Sequence, residues 1–130
     1  MKKRIQWRTE RGQTMAEFAI VLPVLMLVVF AIIQFGILFN NFVALTDAVR
    51  AGARTAAVSR TATDPVGATI ARVQAATGDL DQSKLTISVT SGWHSGDDVT
   101  VKATYPYSIN LFGLNVQTGN LSSSTTERVE

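Results

Sequence analysis

The chain has no cysteine, one histidine, three prolines, and not one charged side chain between Phe18 and Phe39. Each shortage closes off a class of answer. Without cysteine there is no disulfide to staple a small core and no thiol nucleophile. With His94 as the lone histidine, no second imidazole can pair with a serine, and no G-x-S-x-G, P-loop or G-x-G-x-x-G string occurs. His94 with Asp97 and Asp98 is a weak cation group, because zinc takes three or four ligands converging from separated positions. Gly92, Gly96 and Asp97 account for that stretch as a turn. A small metal-dependent hydrolase on these three residues is the enzyme reading that competes. The expectation is no catalytic residue, no metal and no cofactor: the chemistry that matters is done to this protein rather than by it.

The missing charge is itself a signal. About 20 apolar residues at ~1.5 Å each cross a hydrocarbon layer of ~30 Å, so Phe18 to Phe39 predicts a spanning helix. Before it stands a basic head with Lys2, Lys3, Arg4, Arg8 and Arg11 against Glu10 alone. The chain as a whole has 12 Lys or Arg and 10 Asp or Glu, so everything after Gly12 is net acidic. The sequence pI of about 9.3 therefore reports a topology signal and not a nucleic-acid surface. The positive-inside rule puts the head in the cytoplasm and the C-terminal part outside. A cleaved secretory signal fits less well: the run is too long for an h-region and no A-x-A site ends it, the nearest small-residue string being Ala51-Gly52-Ala53. An uncleaved anchor remains the structural alternative.

At the edge of the run stands a solitary carboxylate, Glu17. An unpaired acid in hydrocarbon costs at least ~2.5 kcal/mol, which implies a partner or contact with water. A cut after Gly12 would place a new α-amino group on Gln13, one helical turn from Glu17. Pairing with that amine, its own or a neighbour's, would explain why the acid is tolerated.

Residues 1–12 are thus a head, 13–60 a long helix whose membrane segment covers about 18–39, and 61–130 one small outer domain of the α+β class. Pro23 predicts a slight bend. Gln34 is the hydrogen-bonding side chain well inside the run, reaching another helix or lying at headgroup level. Beyond Asn40-Asn41 the helical period persists: Leu45, Ala48 or Val49, Gly52 and Ala56 recur, and with Gly36 before them form a narrow packing stripe. Asp47, Arg50 and Arg54 form the opposite, charged side. A second helix starts at Pro65 with Thr63 or Asp64 as cap, shows Val66, Ile70 and Val73 on one face, and stops at Gly78. Then the period falls to two. Leu85–Thr90 and Val99–Tyr105 predict an antiparallel pair with Leu85, Ile87, Val89, Val99, Val101, Ala103 and Tyr105 inward. Residues 107–114 are expected to form an uncharged loop, buried over the sheet edge or touching a partner or membrane. A third strand is expected from Leu121 to Val129. A three-stranded sheet needs a helix to cover it.

Gly12-Gln-Thr-Met-Ala-Glu17-Phe18 resembles the processing site of type IV pilin-like proteins, with Gly before the cut and Glu at the fifth mature position. Glu17-Phe-Ala-Ile-Val-Leu-Pro23, Gln34-Phe-Gly36 and Ala48-Val-Arg50-Ala-Gly-Ala-Arg54 are similar to the TadE-like branch, the minor pilins or pseudopilins of the tight-adherence (Flp) pilus system. The likeness is specific over residues 12–57. It implies a chain held in the cytoplasmic membrane, cut between Gly12 and Gln13 by a prepilin peptidase, and used with other pilins and assembly proteins to initiate a pilus. It also implies that Glu17 pairs with the N-terminus of an adjacent subunit. Gln34 departs from the pattern, where an acid is common in the family, so the resemblance implies no charge-based role there.

Overall fold

A computed structural model describes residues 7–130 of the chain. Lys2, Lys3 and Arg4 of the basic head lie outside the described residues. Helix α1 runs from Trp7 to Val58, 52 residues, or about 78 Å at ~1.5 Å per residue. It begins further back in the head than the pattern predicts and continues through Pro23. Asn40 and Asn41 do not interrupt it.

The two halves of α1 differ in what covers them. Its apolar first half is exposed, whereas Leu45, Ala48, Val49, Gly52, Ala53 and Ala56 are buried. The change follows from side-chain size. Leu, Val, Ile and Phe crowd the first half; Ala and Gly in the second let other elements approach closely.

Helix α2, Pro65–Ala76, crosses that small-residue surface. Asp64 caps it, its carboxylate accepting the Gly67 amide at 2.8 Å, and Pro65 occupies the first turn, where a missing N–H costs nothing. Its buried face differs from the expected one. Thr69 and Val73 are buried, Ile70 is half-buried and Val66 is exposed. Thr69 can turn inward because its hydroxyl donates to the Pro65 carbonyl at 2.8 Å. Thr77, just past the helix, is buried the same way, donating to the Val73 carbonyl at 3.0 Å.

Three antiparallel strands follow in the order β1-β2-β3: Thr86–Thr90, Asp98–Leu111 and Leu114–Arg128. The period-2 reading of the first two is correct. Val99, Val101 and Ala103 are fully buried, and Leu85, Ile87, Val89 and Tyr105 pack against them. The core lies between this face, α2 and the second half of α1.

The expected loop at 107–114 is instead a long hairpin. β2 continues through Pro106 to Leu111, turns at Phe112-Gly113, and returns as β3 from Leu114, seven residues before the expected start of that strand. Pro106 is compatible because β1 pairs only as far as Thr104, leaving β2 a free edge beyond it, where a sheet tolerates proline. Phe112 and Gly113 both have positive φ, 51° and 82°, as a two-residue primed turn requires.

The chain end closes the core. Val129 is buried and exchanges backbone hydrogen bonds with the β1–β2 connection, accepting from Gly96 and donating to Asp97, both at 2.8 Å. The Glu130 amide donates to the Ala57 carbonyl at 2.9 Å, satisfying one of the acceptors that the last turn of α1 leaves without an intrahelical partner.

Candidate functional site

The residues singled out by sequence fall into two places on α1. Gly12, Gln13 and Glu17 lie near its start, all exposed. Gln13 and Glu17 are one turn apart, and the Gln13 amide donates to Glu17 Oε1 at 3.1 Å. That contact answers part of the question raised by an acid at the edge of an apolar run: the carboxylate has a neutral donor within its own chain. A side chain on Gly12 would meet nothing within 4 Å, so packing in this chain makes no demand for glycine there. What the glycine does locally is weaken the helix, by about 1 kcal/mol relative to alanine.

The second place is the domain end. Ala48, Gly52 and Ala56 of the small-residue stripe lie beneath α2 and the sheet, while Gly36 is exposed. Arg50 and Asp47 form an exposed pair at 3.7 Å, worth a few tenths of a kcal/mol at such a position. Arg54 is exposed alongside them.

Between these places a cleft separates α1 from the hairpin. Gln34, Ile37, Leu38 and Asn41 line one wall; Lys84 and residues Tyr105 to Ile109 line the other. Gln34 therefore faces the chain's own β2. Lower on α1, Phe30 meets the Phe112 ring at the hairpin turn edge-on, with centroids 5.2 Å apart and planes at 74°. The contact differs from the uncharged loop expected at 107–114: Gly113 is a turn residue, but a proline at 106 is rare within a paired strand leading to it.

In the β1–β2 connection, His94 and Asp97 hold each other. Asp97 Oδ2 accepts the His94 amide at 3.1 Å and lies 3.0 Å from His94 Nδ1. Gly92 leaves room for that carboxylate, whose Oδ2 is 2.5 Å from where a Cβ would stand. Trp93, at φ 58°, packs against the core. Asp97 thus uses its Oδ2 to close the turn. Among the described residues no three His, Cys, Asp or Glu side chains are grouped to hold a metal ion.

The first half of α1 is long and apolar enough to cross a membrane, with an 18-residue window of mean hydropathy 2.8, none of it buried by the rest of the chain. No curated protein and no solved structure matches the chain. Residues 12–54, from Gly12 through the apolar run to Arg54, match the family model described as TadE-like protein, so that about a third of the chain is similar to that family.

Proposed function

We propose that this protein is a minor pilin or pseudopilin of the Tad/Flp pilus system, cut after Gly12 and assembled through Glu17. The match over residues 12–54 carries this reading, because it covers the junction and the packing stripe as far as Gly52. A role in the pilus system is the coarse inference from the family; the cut and the pairing are the finer part. The family is not known as enzymatic, which agrees with a structural role.

The geometry of the junction supports the finer part on two counts. Gly12 lies in a helix it weakens, and a peptidase needs its substrate backbone extended, so a locally weak turn lowers the cost of opening. The Gln13–Glu17 side-chain contact supports the pairing, because an α-amino group left on Gln13 by the cut would lie within one turn of the carboxylate. Once the head is gone, a charged amine on an adjacent subunit is a stronger donor to Glu17 than the Gln13 amide. The α+β domain stands outside the cytoplasmic membrane, and the basic head, until it is cut, lies on the cytoplasmic side.

Mass spectrometry of membranes from cells co-expressing an active prepilin peptidase tests the proposal. A chain beginning at Gln13 is expected. An intact Met1 start beside an active enzyme would instead leave a membrane-anchored extracytoplasmic domain that is never processed.

A further inference from the structure

The uncharged part of α1 is longer than a bilayer requires. From Phe18 through Thr46 there are 29 residues without a charge, about 43 Å of helix against a hydrocarbon layer of ~30 Å. Composition alone therefore does not fix the position of α1 in the membrane. The hairpin removes that freedom.

The β2–β3 hairpin descends along α1, and two measures of its depth agree. From Phe112 to Tyr107 is five residues of strand, about 17 Å. From Phe30 to Asn41 is eleven residues of helix, about 16 Å. Phe112 touches Phe30, and Tyr107 and Asn41 line the same cleft. The turn is therefore level with Phe30.

A hairpin two strands wide carries open edges, and lipid-exposed sheet edges do not occur within hydrocarbon. A membrane segment at 18–39 would sink the turn and several residues of each strand about 13 Å below the surface. The segment must end near Phe30. Counting 20 residues back from there reaches Arg11, the last cation of the head, which is where positive charge is expected at the opposite face.

The tip has the composition for that depth. No charged residue occurs between Lys102 and Glu127, while Asp97, Asp98, Lys102, Glu127 and Arg128 all lie toward the other end of the hairpin. At the tip Phe112, Leu114 and Val116 are exposed, at 65%, 73% and 60%.

We propose that the β2–β3 hairpin tip is a second membrane contact, seating Phe112, Leu114 and Val116 in the lipid interface on the domain side and fixing the hydrocarbon segment of α1 at about residues 12–31. The proposal rests on α1 spanning the membrane. It makes α1 and the hairpin a two-point mount, so that the domain is held at a set height and rotation above the bilayer rather than swinging on one helix.

The cysteine-free sequence permits a direct test on the full chain. Single variants Leu114→Cys, Val116→Cys, Leu25→Cys and Ser124→Cys carry a nitroxide label in liposomes of phosphatidylethanolamine and phosphatidylglycerol. Relaxation by oxygen is compared with relaxation by a water-soluble nickel chelate. Leu25 lies in the apolar half of α1 and Ser124 is exposed on β3 far from the tip. The expected result is that positions 114 and 116 favour oxygen, as 25 does, while 124 favours the chelate. If 114 and 116 follow 124 while 25 favours oxygen, the hairpin contact is wrong and the anchor stands. If 25 also follows 124, the spanning reading fails and this proposal with it. Shielding of 114 from both reagents with spin–spin broadening between copies would assign the tip to a second copy of the chain and overturn the lipid contact.

Discussion

Gly52 of α1 lies directly beneath Val73 of α2, so close that a Cβ on the glycine would overlap Val73 Cγ2 and stand 3.6 Å from Val101 Cγ1. Val73 and Val101 are fully buried, so neither has space to retreat. Gly52→Ala gains about 1 kcal/mol of helix propensity but forces a packed interface apart, which costs about 1–3 kcal/mol. Net destabilisation is expected, seen as a lower urea midpoint in detergent micelles, with Gly52→Leu preventing the domain from folding. Gly36→Ala is the contrast: its Cβ meets nothing within 4 Å, so propensity alone acts and stability rises. Equal effects at the two positions would refute the close approach.

Much of this fold was legible because its elements announce themselves by period. The continuation of α1 past Asn40-Asn41, the cap at Asp64-Pro65 and the inward set Val99, Val101 and Ala103 each follow from spacing and cap chemistry. What was missed depends on long-range context. Val66 was placed inward by its apolar character, yet Thr69 takes the buried position by donating its hydroxyl to its own helix backbone. Pro106 stands within β2, and the sequence does not say where β1 stops pairing and leaves the edge that tolerates it. At the candidate site, the types and spacing of Gly12, Gln13 and Glu17 could be read directly, since they lie within two turns of one helix. The contact of Phe30 with Phe112 could not, being 82 residues apart in sequence.

Asp81 offers a pH-dependent reporter outside the membrane. The Ser83 hydroxyl at 2.6 Å and the Ser83 amide at 3.1 Å donate to its carboxylate, and Lys84 lies 3.4 Å away, together holding its pKa below the ordinary value. A carboxylate depressed in the folded state adds stability that is present above its unfolded pKa and lost as pH falls through the folded value. In an NMR titration the Asp81 midpoint is expected below the ordinary carboxylate value of 3.8 and to move up in Ser83→Ala. The side chain is exposed, so the midpoint shifts while overall stability barely changes. No movement in the variant would remove Ser83 as the cause.

Val129 is expected to matter more than its place near the chain end suggests. It is buried between the β1–β2 connection and the end of α1, and its backbone joins both through Gly96, Asp97 and the neighbouring Glu130–Ala57 bond. Val129→Ala should cost about 2 kcal/mol from lost burial and the space left behind. Val129→Asp puts an unpaired charge in the same site and should unfold the domain. Amide exchange separates this from a local effect: protection at Val99 and Val101 should fall together with that at Gly96. Loss confined to Gly96 and the last residues would mean that the chain end frays without supporting the core.

Glu17 and Gly12 should fail in different ways. On the proposed function Gly12 stands at the scissile bond, so a bulky residue there is expected to block the cut, and assembly then fails for want of processing. Glu17 would act later. With the hydrocarbon segment at about 12–31, it lies some 8 Å inside the layer, where an unpaired carboxylate costs about 2.5–3.5 kcal/mol. Pairing with the α-amino group of an adjacent subunit recovers that cost only in the assembly, which gives the acid a function that the single chain does not supply. Glu17→Ala and Glu17→Gln are therefore both expected to be cut normally and to enter pili at least tenfold less often, measured by immunoblot of sheared fibres against total membrane protein. The glutamine variant is the discriminating one, since it keeps a hydrogen-bonding group at the position. If it assembles as the parent does, a neutral hydrogen bond of the Gln13–Glu17 kind is sufficient and the charge pairing is wrong. If both variants lose cleavage as Gly12 variants do, position 17 belongs to peptidase recognition instead.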